Sequence, residues 1–309
     1  MTKYSSRLLV ASMAITAITS LLSFFSGPNW ILDLFSHFKW QYLLALTCGT
    51  VILAFKKTKL SLIFLPFIFI LIMEIVPFYF GGNKNISLTK TTKIICINLL
   101  SSNMEFKLVE NYINQNNPDI ILLQEFNTIW QSQLEPKLQE YPHRLTIPRN
   151  DNFGMALYSK GKITNLKTLT FGDLDIPSIQ GAIEIGSAVV QLIATHPLPP
   201  VGADYFQHRN SQLAELGLYI AELDSEVILI GDLNTTSFST HFKKLTSTAK
   251  LIDTRRGFGE LTTWPTWFSP ARTTLDHCLI SAGLSVKSRK VGENIGSDHL
   301  PISVEIGVE

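Results

Sequence analysis

The sequence predicts an α/β domain that follows a group of apolar helices at the N-terminal end of the chain. Apolar residues are concentrated before Phe80, and from Lys93 onward β-rich runs alternate with segments of helical periodicity. This second part opens as strand, helix and strand, which is typical of a parallel unit. We therefore divide the chain into an apolar region at 1–80, a polar linker at 81–92 and an α/β domain at 93–309.

Three apolar runs occupy the first region, at 8–25, 40–55 and 60–80. A membrane-spanning helix needs about 20 apolar residues, with about 17 as the short limit. The first and third runs satisfy this limit, whereas for the second a re-entrant or interfacial helix stays open as an alternative. A cleaved signal peptide is the alternative for the first run, but two more apolar runs follow it and no A-x-A-like site ends it. The sequence therefore predicts an anchor of about three transmembrane helices.

Basic residues around these runs predict how the anchor is oriented. Lys3 and Arg7 precede the first run, and three lysines at 56–59 separate the second run from the third. Cytoplasmic loops are enriched in Lys and Arg. We therefore expect a multi-pass protein of the cell (inner) membrane whose α/β domain lies on the extracytoplasmic side.

The charge distribution argues against tight, non-specific binding of nucleic acid. Residues 1–80 hold six basic and two acidic residues, which leaves 20 basic and 23 acidic residues in the remainder. Non-specific binding depends on a surplus of Lys and Arg on the binding face, although a local basic rim is compatible with this balance. The three cysteines lack the spacing of zinc sites and are too few for a disulfide framework.

Polar residues of metal-binding or acid–base type follow or adjoin several of the apolar, strand-like runs. They are Asn98, Glu125, His196, Asp232, Asn234, Asp276, Asp298 and His299. Residues at strand ends are held by a rigid scaffold, so we expect these side chains to meet in one site. Each signal alone has an ordinary structural explanation, as a surface acid, a structural histidine, a turn or a helix cap. Their joint occurrence, in this order, carries the prediction.

These residue types fit the metal-assisted hydrolysis of a phosphoester. Carboxylate and amide oxygens are hard ligands that suit Mg²⁺ or Mn²⁺ rather than zinc. Histidines beside carboxylates can be oriented and stabilised in their charged form. Phosphoester hydrolysis needs a cation near the developing charge, an activated water and a donor to the phosphoryl oxygens. The residues therefore predict a phosphoric ester hydrolase that depends on Mg²⁺ or Mn²⁺.

At these residues the sequence resembles the endonuclease/exonuclease/phosphatase superfamily, which includes deoxyribonucleases, abasic-site endonucleases, neutral sphingomyelinases and inositol polyphosphate 5-phosphatases. The resemblance covers about 93–306. It is carried by Ile-Asn-Leu at 97–99, Leu-Gln-Glu at 123–125, Gly-Asp-Leu-Asn at 231–234, Leu-Asp-His at 275–277 and Ser-Asp-His-Leu-Pro at 297–301. A Thr-His-Pro-x-Pro-Pro stretch at 195–200, together with the N-terminal spans, is similar to a membrane-anchored bacterial branch. The resemblance implies a four-layer sandwich of two mixed β-sheets flanked by helices.

The resemblance also implies how the oxygen-bearing residues act. Glu125 would be the main metal ligand, with Asn98 beside it and Asp298 close to the metal. Asp232 would orient or deprotonate the attacking water, and Asn234 would hold the phosphate.

Roles for two histidines, a tyrosine and an arginine are implied in the same way. His299, oriented by Asp276, would act as a base or as an electrostatic stabiliser, and His196 would donate to a phosphoryl oxygen. Tyr158 aligns loosely with a tyrosine that some nuclease branches place near the phosphate, and an ordinary strand aromatic is the alternative. Arg209 is a candidate phosphate clamp, with a surface salt bridge as the alternative.

Two substrate classes stay open at this point, the phosphodiester of a nucleic acid and the headgroup of a phospholipid. The superfamily and Tyr158 favour the first class, and the membrane anchor and the acidic balance favour the second. A non-catalytic, membrane-anchored binding module with the same fold is the alternative to an enzyme. Tryptophans in a predicted rim loop at 262–267 are expected to pack inward, and no protein partner is predicted.

Overall fold

The computed structural model describes residues 3–81, 88 and 90–308. The α-helices are α1 (Lys3–Leu22), α2 (Trp30–Ser36), α3 (Lys39–Phe55), α4 (Leu65–Ile75), α5 (Phe106–Asn116), α6 (Thr128–Leu134), α7 (Ala203–Ala221) and α8 (Thr240–Thr248). The strands are β1 (Thr91–Asn98), β2 (Ile120–Gln124), β3 (His143–Ile147), β4 (Met155–Ser159), β5 (Thr164–Thr170), β6 (Pro177–Ile185), β7 (Ala188–Thr195), β8 (Glu226–Asp232), β9 (Ile252–Asp253), β10 (Asp276–Ile280), β11 (Leu284–Val291) and β12 (Ile302–Val308). Most of the predicted linker at 81–92 lies outside the described residues.

The strands form two six-stranded sheets, in the orders β11-β12-β1-β2-β4-β3 and β5-β6-β7-β8-β10-β9. Each sheet has one parallel pair at its centre, β1 with β2 and β7 with β8, and the other neighbours are antiparallel. The carboxyl ends of a parallel pair lie at the same edge of the sheet. This topology places the residues that end β1, β2, β7 and β8 at the edges where the two sheets meet.

Three apolar layers hold the domain together. Isoleucines and leucines on the inner faces of the two sheets, such as Ile94, Leu122 and Ile228, form the central core. The outer face of the first sheet packs against α5 and α6, and that of the second sheet packs against α7 and α8. The central strands are buried on both faces, which explains their uninterrupted apolar sequences. The predicted four-layer sandwich is therefore confirmed.

The N-terminal helices α1, α3 and α4 pack around Met13, Leu46 and Leu71. Two helical stretches, Ser6–Phe25 and Lys59–Phe78, are long and apolar enough to cross a membrane. A third is added if α2 and α3, which meet at an angle of 61°, are taken as one bent span. The second predicted span therefore corresponds to α3, and α2 precedes it as a separate short helix.

One end of this helical group rests on the α/β domain. Ser26, which follows α1, has its Oγ 2.7 Å from Thr240 Oγ1 at the start of α8. Lys243 Nζ, on the same helix, donates to Glu74 Oε1 of α4 at 2.9 Å. The first turn of α3 is attached through Gln41, whose Nε2 donates to two backbone carbonyls of the domain. The ends of all three helices are thus fixed to the domain by polar contacts.

Candidate active site

The strand ends of both sheets open into one cavity of about 500 Å³. The polar side chains predicted from the sequence that line it are Glu125, His196, Asp232, Asn234, Asp298 and His299. Asn98 and Asp276 lie directly behind this lining. Asn98 Nδ2 donates to Asp232 Oδ2 at 3.3 Å, and Asp276 Oδ2 is 2.8 Å from His299 Nδ1. Eight of the ten predicted site residues are therefore brought together, although they are spread over 200 positions of sequence.

Contacts between the two sheets fix the floor of the cavity. Gln124, at the end of β2, donates from Nε2 to Thr195 O at 2.9 Å and accepts from Asp232 N through Oε1 at 3.0 Å. Gly231 has a φ angle of +151°, and a Cβ atom there would lie 2.0 Å from Thr195 O. Only glycine fits at this position. The close contact at Gly231 therefore fixes the backbone position of Asp232, whose carboxylate lines the cavity.

Two carboxylates lie on one side of the cavity with few partners. Glu125 follows β2 at a φ angle of +54° and accepts from Ser101 N through Oε2 at 3.0 Å. Burial raises the pKa of Glu125 above its ordinary value. Asp298 accepts from Trp264 Nε1 at 3.0 Å through Oδ2, and its buried Oδ1 has no hydrogen-bond partner in the described part of the chain. Such orphaned oxygens are expected where a cation binds.

His299, which directly follows Asp298, is held between two further acids. Its Nδ1 is 2.8 Å from Asp276 Oδ2, and its Nε2 is 3.6 Å from Asp232 Oδ2. Burial opposes a charge on His299, but the carboxylates of Asp276 and Asp232 outweigh it and raise the pKa of the imidazole to about 10. Burial also raises the pKa of Asp232, to about 7, against the lowering effect of His299. His299 is therefore a cation and a hydrogen-bond donor at neutral pH.

His196 is the second histidine of the cavity and differs from the first in charge. It follows β7, is buried, and packs edge-on against Phe153 with ring centroids 5.8 Å apart. Burial and the nearby His299 lower the pKa of His196 to about 4. Its Nδ1 is buried without a hydrogen-bond partner among the described residues. The strand ends thus offer one charged and one neutral imidazole.

A family model for the endonuclease/exonuclease/phosphatase family matches residues 96–299, a range that contains every residue of this cluster. The chain belongs to the endonuclease/exonuclease/phosphatase family. No curated protein sequence matches the chain.

Solved structures of the family share the fold of the α/β domain. TDP2 from D. rerio, in a structure complexed with single strand DNA product, has a TM-score of 0.60 at 16% identity, over 71% of this chain and 99% of that one. The human Nocturnin catalytic domain with bound sulfate anion has a TM-score of 0.57 at 20% identity, over 71% and 95%. A family protein from Beutenbergia cavernae has a TM-score of 0.55 at 15% identity, over 71% and 72%. At these identities the likeness shows the fold alone.

The structure places Arg209 outside the cavity, which corrects its predicted role as a phosphate clamp. The guanidinium is fully buried, and its Nη2 is 2.8 Å from Asp33 Oδ2 of α2. Its Nη1 donates to Asn234 O at 2.9 Å. Asn234 in turn donates from its backbone N to Asp232 Oδ1 at 2.8 Å and from Nδ2 to Pro197 O at 2.9 Å. Arg209 therefore stabilises the loop that follows β8 through Asn234, without reaching the cavity.

Tyr158 does not reach the cavity either. It is fully buried on the outer face of the first sheet, where its ring is 6.5 Å from that of Phe126 under α5 and α6. Neighbouring residues on a strand face opposite sides of the sheet. Its alternative interpretation, an ordinary strand aromatic, matches this position, and its predicted contact with substrate does not.

The N-terminal region supplies part of the cavity wall, which the sequence did not indicate. Leu34, His37 and Phe38, at the junction of α2 and α3, line the cavity opposite the strand ends. His37 Nδ1 is 3.0 Å from Thr236 Oγ1 of the domain. Asp33, one turn earlier, accepts from Ser239 Oγ at 2.6 Å. The N-terminal helical region is therefore a structural component of the site.

The family uses divalent cations, and the oxygen atoms of this cavity fit such a group. Glu125, Asp298 and Asp232 present three carboxylates, and no Lys or Arg among the described residues lines the cavity. Ligand atoms of Asp232, Asp276 and His299 also lie within 4.8 Å of one another. Asp276 is already engaged by the ring of His299, which leaves Glu125, Asn98 and Asp298 as residues that could hold the cation. Their hard oxygen donors suit Mg²⁺ or Mn²⁺.

Proposed function

We propose that this chain is a membrane-anchored, divalent-metal-dependent hydrolase of phosphoesters, with phosphodiesters preferred. The observation that carries the proposal is the convergence of strand-end residues from both sheets on one cavity. There, carboxylates without a guanidinium or ammonium partner face a charged imidazole. A surface that only binds a partner has no need of buried, unneutralised acids, because they cost folding free energy. This arrangement favours an enzyme over a binding module.

Glu125, Asn98 and Asp298 would hold the cation, which when bound supplies positive charge to the phosphoryl oxygens. Asn98 Nδ2 donates to Asp232 Oδ2 at 3.3 Å. It therefore links the proposed metal ligands to Asp232.

Asp232 is the proposed acceptor for the proton of the attacking water. Its two oxygens are fixed by Asn234 N at 2.8 Å and Asn98 Nδ2 at 3.3 Å, so a water bonded to it is held in one direction. Its pKa of about 7 suits a base that works near neutral pH. Fixing the water in this way lowers the entropic part of the barrier.

The histidines are proposed to act on the phosphoryl oxygens and the leaving group. His299 carries a proton on each ring nitrogen, and Asp276 accepts the one on Nδ1. The N–H at Nε2 can therefore donate a hydrogen bond to a negatively charged oxygen of the substrate. His196 is neutral and donates one N–H to a second phosphoryl oxygen. Pre-oriented donors of this kind contribute roughly 10²–10³ each to the rate.

The test is hydrolysis of bis(4-nitrophenyl) phosphate by the purified full-length chain in detergent with Mn²⁺ or Mg²⁺. We expect turnover that EDTA abolishes, and a loss of roughly 10²–10³-fold in His299→Asn. Wild-type protein that binds Mn²⁺ in calorimetry but hydrolyses no phosphoester would favour the binding-module alternative and contradict the proposal.

We further propose that the active site lies outside the cytoplasm. The end of the helical group remote from the domain holds Arg7 and the lysines at 56–59, with Lys56 Nζ donating to Ser6 Oγ at 2.8 Å. Basic helix ends favour the cytoplasmic side, so the domain at the opposite ends would lie across the bilayer. A C-terminal alkaline phosphatase fusion, which is active only outside the cytoplasm, should be active. An inactive fusion paired with a fluorescent cytoplasmic reporter would reverse the orientation.

A further inference from the structure

One wall of the active-site cavity is apolar. Leu34 and Phe38, from the junction of α2 and α3, lie on it together with Phe153, Val201 and Trp264 of the α/β domain. The acidic groups of the lining lie beside strand ends, and His37, Asn152 and Thr273 add a few further polar groups. Cavities that combine an apolar wall with a few convergent polar groups suit ligands that have both an apolar and a polar part.

The charges of the cavity disfavour a polynucleotide. Proteins hold successive phosphates of a nucleic acid with Lys and Arg side chains. Around this cavity the described lining includes neither type, and its charged groups are Glu125, Asp232, Asp298 and the imidazole of His299. One phosphoester could be neutralised by a cation and His299, but the flanking phosphates of a strand would face carboxylates and apolar surface.

The apolar wall adjoins a helix suited to the bilayer. Phe38 is the residue directly before α3, a 17-residue helix whose sequence is almost entirely apolar. Leu44 and Phe55 of α3 are 65% and 84% exposed, as expected for side chains that face lipid. A helix rises about 1.5 Å per residue, so the exposed Leu44 lies only about 9 Å along the helix from Phe38 of the cavity wall.

A rim loop joins the cavity to the same end of α3. Gln41 Nε2, in the first turn of α3, donates to Pro270 O at 3.2 Å and to Arg272 O at 3.3 Å. In this loop Trp267 and Phe268 are 76% and 48% exposed, and their rings stack with centroids 6.0 Å apart. Trp264, earlier in the loop, lines the cavity. Exposed aromatic side chains beside a helix end are typical of the membrane–water interface. The expected inward packing is therefore wrong for Trp267.

We infer that the substrate is an amphiphile, a phosphoester joined to a hydrocarbon chain, which enters from the outer bilayer surface and lays its apolar part against Leu34, Phe38 and Val201. This inference rests on the proposed hydrolase function and specifies the substrate class. The apolar wall would bind the hydrocarbon chain of the substrate, while the strand-end residues act on its phosphoester. The rim aromatics hold the mouth of the cavity at the lipid surface.

The test uses 4-nitrophenyl alkyl phosphate diesters, which share one leaving group and differ only in chain length. Full-length protein in nanodiscs with Mn²⁺ is assayed on the ethyl and dodecyl diesters and on single-stranded DNA. Burial of a dodecyl chain is expected to raise kcat/KM at least roughly tenfold over the ethyl diester. The rate on DNA is expected to fall below the rate on either diester.

Variants distinguish a chain-length preference that arises from the cavity wall from one that arises because longer chains partition into lipid. Phe38→Ser is expected to lower the ratio of dodecyl to ethyl turnover roughly tenfold. Val201→Ser tests the same ratio in a variant whose folding should not be affected, because Val201 is 75% exposed. The matched control is Val189→Ser, which is 55% exposed and lies at the start of β7, the end of that strand opposite to His196. Its ratio should equal that of the wild type.

Each outcome decides between stated alternatives. A dodecyl-to-ethyl ratio near one, or a ratio that Phe38→Ser and Val201→Ser leave unchanged, overturns the inference while the hydrolase function stands. Faster turnover of DNA than of both diesters replaces the amphiphile with a nucleic acid. A wild-type protein that is inert on all three substrates overturns the hydrolase function itself, and the substrate class with it.

Discussion

Strand β10 carries two acid–imidazole clusters on its opposite faces, and they behave in opposite ways. On the cavity face, Asp276 Oδ2 is 2.8 Å from His299 Nδ1. On the other face, the next residue, His277, has its Nδ1 3.9 Å from Asp253 Oδ2 and its ring 4.6 Å from that of Phe242 of α8. Both clusters are buried, and both consist of carboxylates and histidines.

Arg255 is the main charged side chain that distinguishes the two clusters. Arg255 is buried beside Asp253, with Nη2 2.8 Å from Oδ2, and no Lys or Arg of the described chain lines the cavity on the other face. Burial and Arg255 lower the pKa of His277 to about 4, whereas the carboxylates around His299 raise its pKa to about 10. The cluster that contains Arg255 is neutralised internally and serves stability. In the cavity cluster the carboxylates outnumber the charged imidazole of His299, so negative charge remains for a metal ion.

The largest expected effect is on catalysis, in the cluster without an arginine. Asp232→Asn should lower turnover roughly 10³-fold, about 4 kcal/mol in the barrier, because it removes the proton acceptor. Its thermal unfolding midpoint without metal should stay equal or rise, because burial raises the pKa of Asp232 to about 7 and its ionised form therefore costs folding free energy. Steady-state kinetics and thermal unfolding of the same preparation check both halves. A clear loss of stability would show that Asp232 has a structural role like that of Asp253, which contradicts this prediction.

The complementary change is in the other cluster. Arg255→Met should destabilise the fold by about 3 kcal/mol, because Asp253 and Glu260 would keep buried charges without a partner. Below the new unfolding temperature, kcat should remain within a few-fold of the wild type. Chemical unfolding combined with kinetics tests this, and the control is the exposed Arg144→Met on β3. A 10³-fold loss of kcat in a folded Arg255→Met protein would erase the distinction between the two clusters.

A smaller effect is expected at the link between the anchor and the catalytic loop. Asp33→Asn leaves Arg209 buried without a counter-ion, and Arg209 is the group that supports Asn234 O. Loosening of this loop should lower kcat about tenfold with little change in KM. Replacing both partners, as Asp33→Asn with Arg209→Met, should recover stability relative to the single change, because no charge is left unpaired. Additive losses would show that the two residues are not coupled.

The smallest expected effect is the acid sensitivity that His277 causes. Its folded pKa of about 4 lies below the ordinary value of 6.5, so the unfolded chain binds the proton more readily. The stabilising contribution of the neutral ring is therefore complete above pH 6.5 and is lost as the pH falls toward 4. Between pH 6.5 and 5.5 the loss should be about 1 kcal/mol. Unfolding free energies of wild type and His277→Gln at both pH values test it, and an equal slope in the two proteins would contradict it.

Much of the fold and of the catalytic cluster could be predicted because the signals are local. Apolar strands followed at once by Asn98, Glu125 or His196 identify both the strand and the site residue. The sequence did not indicate β3, β5, β9, β11 or α8. Two of them show why: β5 is an edge strand with mostly exposed side chains, and α8 has the polar sequence Thr-His-Phe-Lys-Lys-Leu-Thr-Ser-Thr. Where both faces are buried, as in β4, the apolar pattern cannot show which face Tyr158 occupies.

The remaining errors concern pairs of distant residues. The sequence favours a substrate role for Arg209 because its partner, Asp33, lies 176 positions away, in a region whose apolar composition predicts membrane helices. Nothing in the local sequence of α2 indicates that Leu34 and Phe38 face a catalytic cavity. Tertiary pairing of this kind leaves no periodicity in a single sequence, so it became visible only in the structure.

The most direct test of the central claim is a Mn²⁺ titration of phosphodiester hydrolysis by the full-length wild type and by Glu125→Gln, side by side. If the strand-end residues form one metal-dependent site, wild-type turnover should rise with Mn²⁺ to saturation. The variant should then stay roughly 10²-fold slower, or saturate only at much higher metal. Superimposable titrations of the two proteins would contradict the account.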